Sequence, residues 1–272
     1  MSDITLIDDS EQSSLVTNGL AKNGELYLKK AGSTDAGSIV VYDSGVWKTF
    51  ADEGGAFLNG SSLDLDGADD YLSIPDNLTK NAWNVQAWTF SMFIKPDASE
   101  INPADTTTRQ FLSGIGSSPY LAFRAGVFRY INAGGSGVNG PSLTNDWFHV
   151  MITNDTSTGS SSTAASLYID GTFIGNTRIW QSAQGMRNVG RWYSGGHSAS
   201  LVDEISIFDS VKSASDLQTA GVPNDLTSLN PVLWYRCGDG DTSPTLTNNG
   251  SAGSSLDGTL HNGPTFSSDT PS

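Results

Sequence analysis

Nine residues, WTFSMFIKP at 88–96, constrain this chain more than any other stretch. Trp88, Phe90, Met92 and Ile94 recur at every second position, with Thr89, Ser91 and Lys95 between them. A period of two marks a strand that buries one face, because successive side chains of an extended chain point to opposite sides. Such a half-buried strand belongs in a sandwich sheet. Shorter runs of the same kind follow along the chain. SSLDLDGADDYLSIP places Leu63, Leu65 and then Tyr71 in one phase, across a DGADD loop. WFHVMIT puts Phe148, Val150 and Ile152 on one face and His149 on the other. YLAFRAGVFRYI reads as a hairpin turning at Ala125-Gly126, and SLYIDGTFIG as an Asp-Gly hairpin. Glycine, 30 of 272 residues, and a charged content of only 16% fit short strands joined by many turns and argue against a helical protein.

LVDEISIF at 201–208 adds a complication. Leu201, Ile205 and Ile207 share one phase, and Asp203 falls among them. An inward carboxylate must find hydrogen bonds or a cation, because an unpaired buried charge costs more than one strand's packing returns. Beyond it, Ser213 with Asp216 three residues later and Leu217 behind reads as the cap of one short helix.

The charge balance excludes some partners. With 14 Lys plus Arg against 29 Asp plus Glu, the formal charge is −15, so nucleic-acid phosphate and anionic membrane surfaces would be repelled. No apolar run approaches the ~18 residues a span requires, which predicts no membrane insertion. Cys237 is the single cysteine, so no intrachain disulfide forms. MSDITLIDDSEQ has neither a basic nor an apolar signal region, and the expectation is a chain made in a cytoplasm without a signal peptide.

At the residues VDEISIFDSVKSASDLQTAG a family resemblance enters. This run is similar to the closing signature of laminin-G-like, concanavalin-A-like lectin domains, and LDLDGADDYLSIP, WTFSMFIKP, WFHVMIT and SLYIDGTFIG resemble further segments of that family in the same order. The resemblance implies an all-β fold, an antiparallel β-sandwich of the concanavalin-like jelly-roll type. In that family a block like LWYRCGDG…LDGTLHNGPTF precedes the DGADDY strand; here it comes last. Either the domain is circularly permuted, with 232–266 folding back beside LDLDGADDY, or the tail begins a second, truncated unit. A lone strand of that hydrophobicity would expose an unpaired edge, which favours permutation. The expected organisation is an attachment or oligomerisation arm over 1–55, carrying a β-hairpin at IVVY and VWKTF, a sandwich over 56–266, and a tail over 267–272. An alternative makes the first strands part of the sandwich.

Candidate sites follow two chemistries. Asp66, Asp69 and Asp70 cluster within five residues and, with the inward Asp203, could supply the hard oxygen ligands Ca²⁺ takes; no other cofactor is expected. The alternative is that these carboxylates cap turns. Trp180, Trp192 and Tyr193, with Arg191 and His197 as donors, could form an aromatic platform for a glycan. No catalytic residue is assigned. Glucanases of this fold carry an E-x-D-x-x-E strand, whereas DEISIFD has Ser206 at the central position and Asp209 beyond Phe208.

The tail, together with IVVYDSGVWKTFADE, is similar to virion proteins of marine tailed phages. That resemblance implies a non-enzymatic tail fibre or capsid decoration protein, located on the virion, homo-oligomeric, in contact with other virion proteins and with a host-surface glycan. A secreted or surface glycan-binding adhesin is the alternative, and a β-glucanase a more distant one.

Overall fold

The computed structural model describes residues 5–7, 26–29, 39–43, 46–49, 59–75, 87–113, 120–131, 137–155, 165–177, 187–192 and 196–272. The chain divides into two compact units, Met1–Leu58 and Asn59–Ser272. In the first, β1 (Thr5–Ile7), β2 (Leu26–Lys29), β3 (Ile39–Asp43) and β4 (Val46–Thr49) form a four-stranded sheet in chain order. β1 and β2 run parallel, and β3 and β4 form a hairpin.

The second unit is an antiparallel sandwich of two eight-stranded sheets. One sheet takes β6 (Tyr71–Ser73), β8 (Arg109–Ser113), β9 (Tyr120–Arg124), β10 (Val127–Ile131), β11 (Gly137–Ser142), β15 (Asn188–Val189), β20 (Thr245–Leu246) and β21 (Gly258–His261), in the spatial order β11-β10-β9-β8-β15-β6-β21-β20. The other takes β5 (Ser62–Asp66), β7 (Trp88–Pro96), β12 (Phe148–Asn154), β13 (Ala165–Ile169), β14 (Thr172–Thr177), β16 (Ala199–Phe208) and β22 (Thr265–Ser267), in the order β14-β13-β12-β7-β16-β5-β22, with β19 (Leu233–Tyr235) beside β16. The core lies between the sheets. Phe90, Met92 and Ile94 of β7 point into it, as their alternation predicts, and meet Phe111, Phe123 and Phe128 from the facing sheet. Both hairpins turn where expected, on Ala125 and Gly126 (φ 52° and 67°) and on Asp170 and Gly171 (φ 49° and 74°).

Two phases differ from the sequence reading. Leu72, not Tyr71, continues the buried set of Leu63 and Leu65. β5 and β6 lie in different sheets, so the turn between them reverses which parity faces the core. In β16, Val202 rather than Leu201 joins Ile205 and Ile207 in the core. The pairing of β16 with β7 slips between Asp203 and Ser206, and Glu204 sits at φ 49°. This bulge shifts the strand by one residue and leaves Asp203 and Glu204 both buried. Helix α1 (Ala214–Leu217) follows, with the Ser213 N–H donating to the Asp216 carboxylate at 2.7 Å. Its last residue leads into the small hairpin β17 (Gln218–Thr219) and β18 (Val222–Pro223).

The tail returns to both sheets and starts no second unit. β22 pairs with β5, β21 with β6, and β19 with β16. Residues 232–266 thus lie beside LDLDGADDY, as the fold-back reading expects. Among the described residues no helix is long and apolar enough to cross a membrane.

Candidate functional site

A groove of about 490 Å³ opens on the outer face of the sheet that carries β16. Strand alternation builds its floor. Because Leu63 and Leu65 face the core, Asp64 and Asp66 face outward. Asp64 stands opposite Leu201, and Leu201 opposite Lys95, so one row crosses β5, β16 and β7. Asp66 stands opposite Ala199 in the next row. Asp97 and Ser99 enter from the turn after β7, Asn145 from the turn before β12, and Ser267 and Asp269 from the end of β22. Further along the same outer face Thr89, Ser91 and Phe93 are buried, Thr89 beneath a segment whose Ser210 carbonyl and Lys212 N–H it hydrogen-bonds.

Its charges are unevenly served. Lys95 Nζ donates to Asp269 Oδ2 at 2.6 Å, and Trp147 Nε1 to Asp269 Oδ1 at 2.9 Å. These bonds, first that of Lys95, hold the Asp269 carboxyl below the usual range. Asp97 accepts the Ser99 N–H at 2.8 Å, which lowers it likewise. Asp64 is pushed the other way, by burial and then by the carboxylates of Asp66 and Asp97.

The rim beside the groove holds the residues singled out from the sequence. Asp66, Asp69 and Asp70 bring one carboxylate oxygen each within 4.8 Å of the others. Turn chemistry already uses two of them. Asp66 Oδ1 accepts the N–H of Ala68 at 2.8 Å, and Asp70 Oδ2 that of Asp66 at 3.3 Å. Asp203 does not join them. It lies at the bulge, where it accepts from Asn59 Nδ2 and from the Glu204 N–H, both at 2.8 Å.

Of the expected aromatic platform, Trp180 and Tyr193 lie outside the described residues. Arg191 pairs with His197 in a short bridge, and Trp192 Nε1 is buried with no hydrogen-bond partner among the described residues. The Arg191 guanidinium lies 3.5 Å from the centre of the Tyr71 ring, and His261 stacks on that ring at 4.3 Å and 6°. Two groups so close must take opposite faces, so this ring is filled by the protein itself. Sequence reasoning missed Tyr71 and His261. Their signal was the fold-back of the tail, which sets His261 opposite Tyr71 in register.

The DEISIFD strand does not offer a hydrolytic pair. Glu204 is 2% exposed, accepts from Trp234 Nε1 and lies 3.6 Å from Arg236 Nε, so the returning tail seals it. Burial pushes its carboxyl up to about 7, against the Trp234 bond and the Arg236 charge. Ser206 is buried, Asp209 is exposed, and none of the three lines the groove.

Comparison with known proteins agrees with the architecture. A family model described as the concanavalin A-like lectin/glucanases superfamily matches residues 66–218. No curated protein sequence matches the chain. Among solved structures, a candidate carbohydrate-binding protein of Bacteroides ovatus is 17% identical with a TM-score of 0.55, over 92% of this chain and 71% of that one. The binding domain of botulinum neurotoxin serotype D is 14% identical at a TM-score of 0.42, over 68% of this chain and 51% of that one. The sialidase of Trypanosoma rangeli is 16% identical at 0.36, over 48% of this chain and 21% of that one.

Proposed function

The chain belongs to the concanavalin A-like lectin/glucanases superfamily, and from that premise we propose that it is a non-catalytic carbohydrate-binding domain whose site is the outer-face groove. The fold serves binding and hydrolysis alike, so the choice lies with the site. The observation that carries the reading is the groove itself. Its volume falls in the range of about 300–1,000 Å³ typical of small-molecule sites, and Asp64, Asp97, Ser99, Asn145 and Ser267 present hydrogen-bonding groups suited to sugar hydroxyls. The likeness to a candidate carbohydrate-binding protein supports it at the level of fold.

A retaining glycosidase needs two carboxyl groups about 5–5.5 Å apart across an open cleft. Glu204 is sealed from any cleft. In the groove Asp64 and Asp97 are shifted in opposite directions, the pattern of an acid and a base, so the test must read hydrolysis as well. A glycan array probed with the full chain and with Leu201→Trp, which fills the floor, separates the cases. Saturable binding lost in the variant supports the proposal. Absence of binding, or cleavage of a bound oligosaccharide that Asp64→Asn abolishes, overturns it.

The finer reading is display on a tailed-phage particle, as tail fibre or capsid decoration, with residues 1–55 as the assembly arm. It is supported by the resemblance of IVVYDSGVWKTFADE and of the tail to virion proteins. Light scattering tests it: an oligomer for the full chain and a monomer from Asn59 onward are expected, and two monomers count against the arm. Asp66, Asp69 and Asp70 are the residues that would hold a Ca²⁺ ion. A melting temperature raised by Ca²⁺ and insensitive to it in Asp69→Asn assigns the ion to this turn; an unchanged one leaves the carboxylates to the turn alone.

A further inference from the structure

We propose that the groove is charge-selective: it takes a glycan carrying a free amino group, in its ammonium form, and turns away glycans bearing carboxylate or sulfate. This rests on the groove being the carbohydrate site. Four carboxylates line it, Asp64, Asp66, Asp97 and Asp269, against one cation, Lys95. That cation is spent. Its Nζ is 2.6 Å from Asp269 Oδ2, and Trp147 Nε1 holds the other oxygen of the same carboxylate. The pair is close to neutral, and three negative charges remain in the cavity with no counter-charge among its described lining residues.

Asp64 concentrates the effect. Asp66 and Asp97 each serve a backbone N–H of their own turn. Asp64 stands on the floor, in the row with Leu201 and Lys95, and has no hydrogen bond or ion pair with the described residues. Asp66 and Asp97 line the same groove, and like charges repel. An incoming ammonium relieves that repulsion, while an incoming anion adds to it, in a chain whose formal charge is already −15. Geometry also separates an amine from a bare metal. The only described acidic group whose oxygens converge within 4.8 Å is Asp66, Asp69 and Asp70. Asp64, Asp66 and Asp97 are too spread to chelate one ion. An ammonium needs no such convergence, because one carboxylate, Asp64, pairs it while ring hydroxyls reach Ser99 and Asn145.

The test is calorimetric titration of the full chain with a glucosamine tetrasaccharide, its fully N-acetylated counterpart and a galacturonate tetramer. The amine is expected to bind about two- to fivefold more tightly than the N-acetyl form, the size that one partly exposed ion pair supplies. That gap should shrink in high salt, and the uronate should not bind. Within Asp64→Asn the two tetrasaccharides should bind alike, whatever their common affinity; a ratio unchanged from the parent overturns the proposal. Leu201→Trp keeps every charge, so a preference surviving in it reflects the acidic surface at large and overturns the proposal. Equal binding of both tetrasaccharides, or tighter binding of the uronate, overturns the selectivity while leaving carbohydrate binding intact. Failure of all three, together with the whole glycan array, defeats both.

Discussion

Glu204 carries a carboxyl pushed up to about 7 by burial. The folded state therefore holds the proton more tightly than the unfolded chain. Its contribution to stability is full below the ordinary glutamate range, declines as pH rises toward 7, and is level above. Glu204→Gln keeps an acceptor for Trp234 Nε1 and has no proton to lose. Melting temperatures from pH 5 to 8 should fall less steeply in this variant, and at pH 8 it should match or exceed the parent; an unchanged slope would count against the account. His149 works in the opposite sense. Its imidazole is buried and pushed down to about 3, so the unfolded chain takes up a proton first and stability falls as pH drops below the ordinary histidine range. Its Nε2 meets Ser91 Oγ at 2.6 Å, and its Nδ1 is buried without a hydrogen-bond partner among the described residues. Ser91→Ala leaves both nitrogens unmatched and should cost about 1–3 kcal/mol in urea unfolding. At this scale the sequence was partly legible. The sequence flagged Asp203 as a carboxylate needing partners but put it on the wrong face: it stands opposite Phe93 on the outer side of the sheet, and Asn59, 144 positions away, could not be named from the alternation.

Among the elements, β16 shows where pattern reading stops. Period two locates a strand, yet a bulge shifts the phase by one residue, and nothing in VDEIS announces it, because the left-handed position is held by Glu204 and not by glycine. Leu201 consequently faces the groove and Val202 the core. The glycine-bearing turns were easier to read, since their geometry is local. Gly190 adds a close approach: at φ +91°, a Cβ there would lie 2.7 Å from Leu65 Cδ1. Gly190→Ala should destabilise by about 1–3 kcal/mol, through backbone strain and overpacking together. The tail strands make a larger claim. β21 and β22 pair with β6 and β5, one in each sheet. A chain ending before Gly258 should lose cooperative unfolding and bind a hydrophobic dye, whereas a tail that merely rests on the surface would leave the melt unchanged.

For the whole molecule, fold and function were legible to different degrees. Ordered short strands and turns suffice to place a chain in an all-β sandwich, because burying one face of each strand leaves few layer arrangements. The site is harder. The groove forms where β5, β16 and β7 meet a turn before β12 and the end of β22, five separate stretches of chain. Arg191, picked from the sequence as a donor beside an aromatic platform, lies instead over the Tyr71 ring, which the protein fills itself. The most direct measurement is a backbone NMR titration of the full chain with an oligosaccharide that binds on the array. The account predicts shifts centred on Asp64, Lys95, Asp97 and Leu201. Shifts centred on Arg191, Trp192 and His197, with the groove unmoved, would contradict it and return the site to the rim.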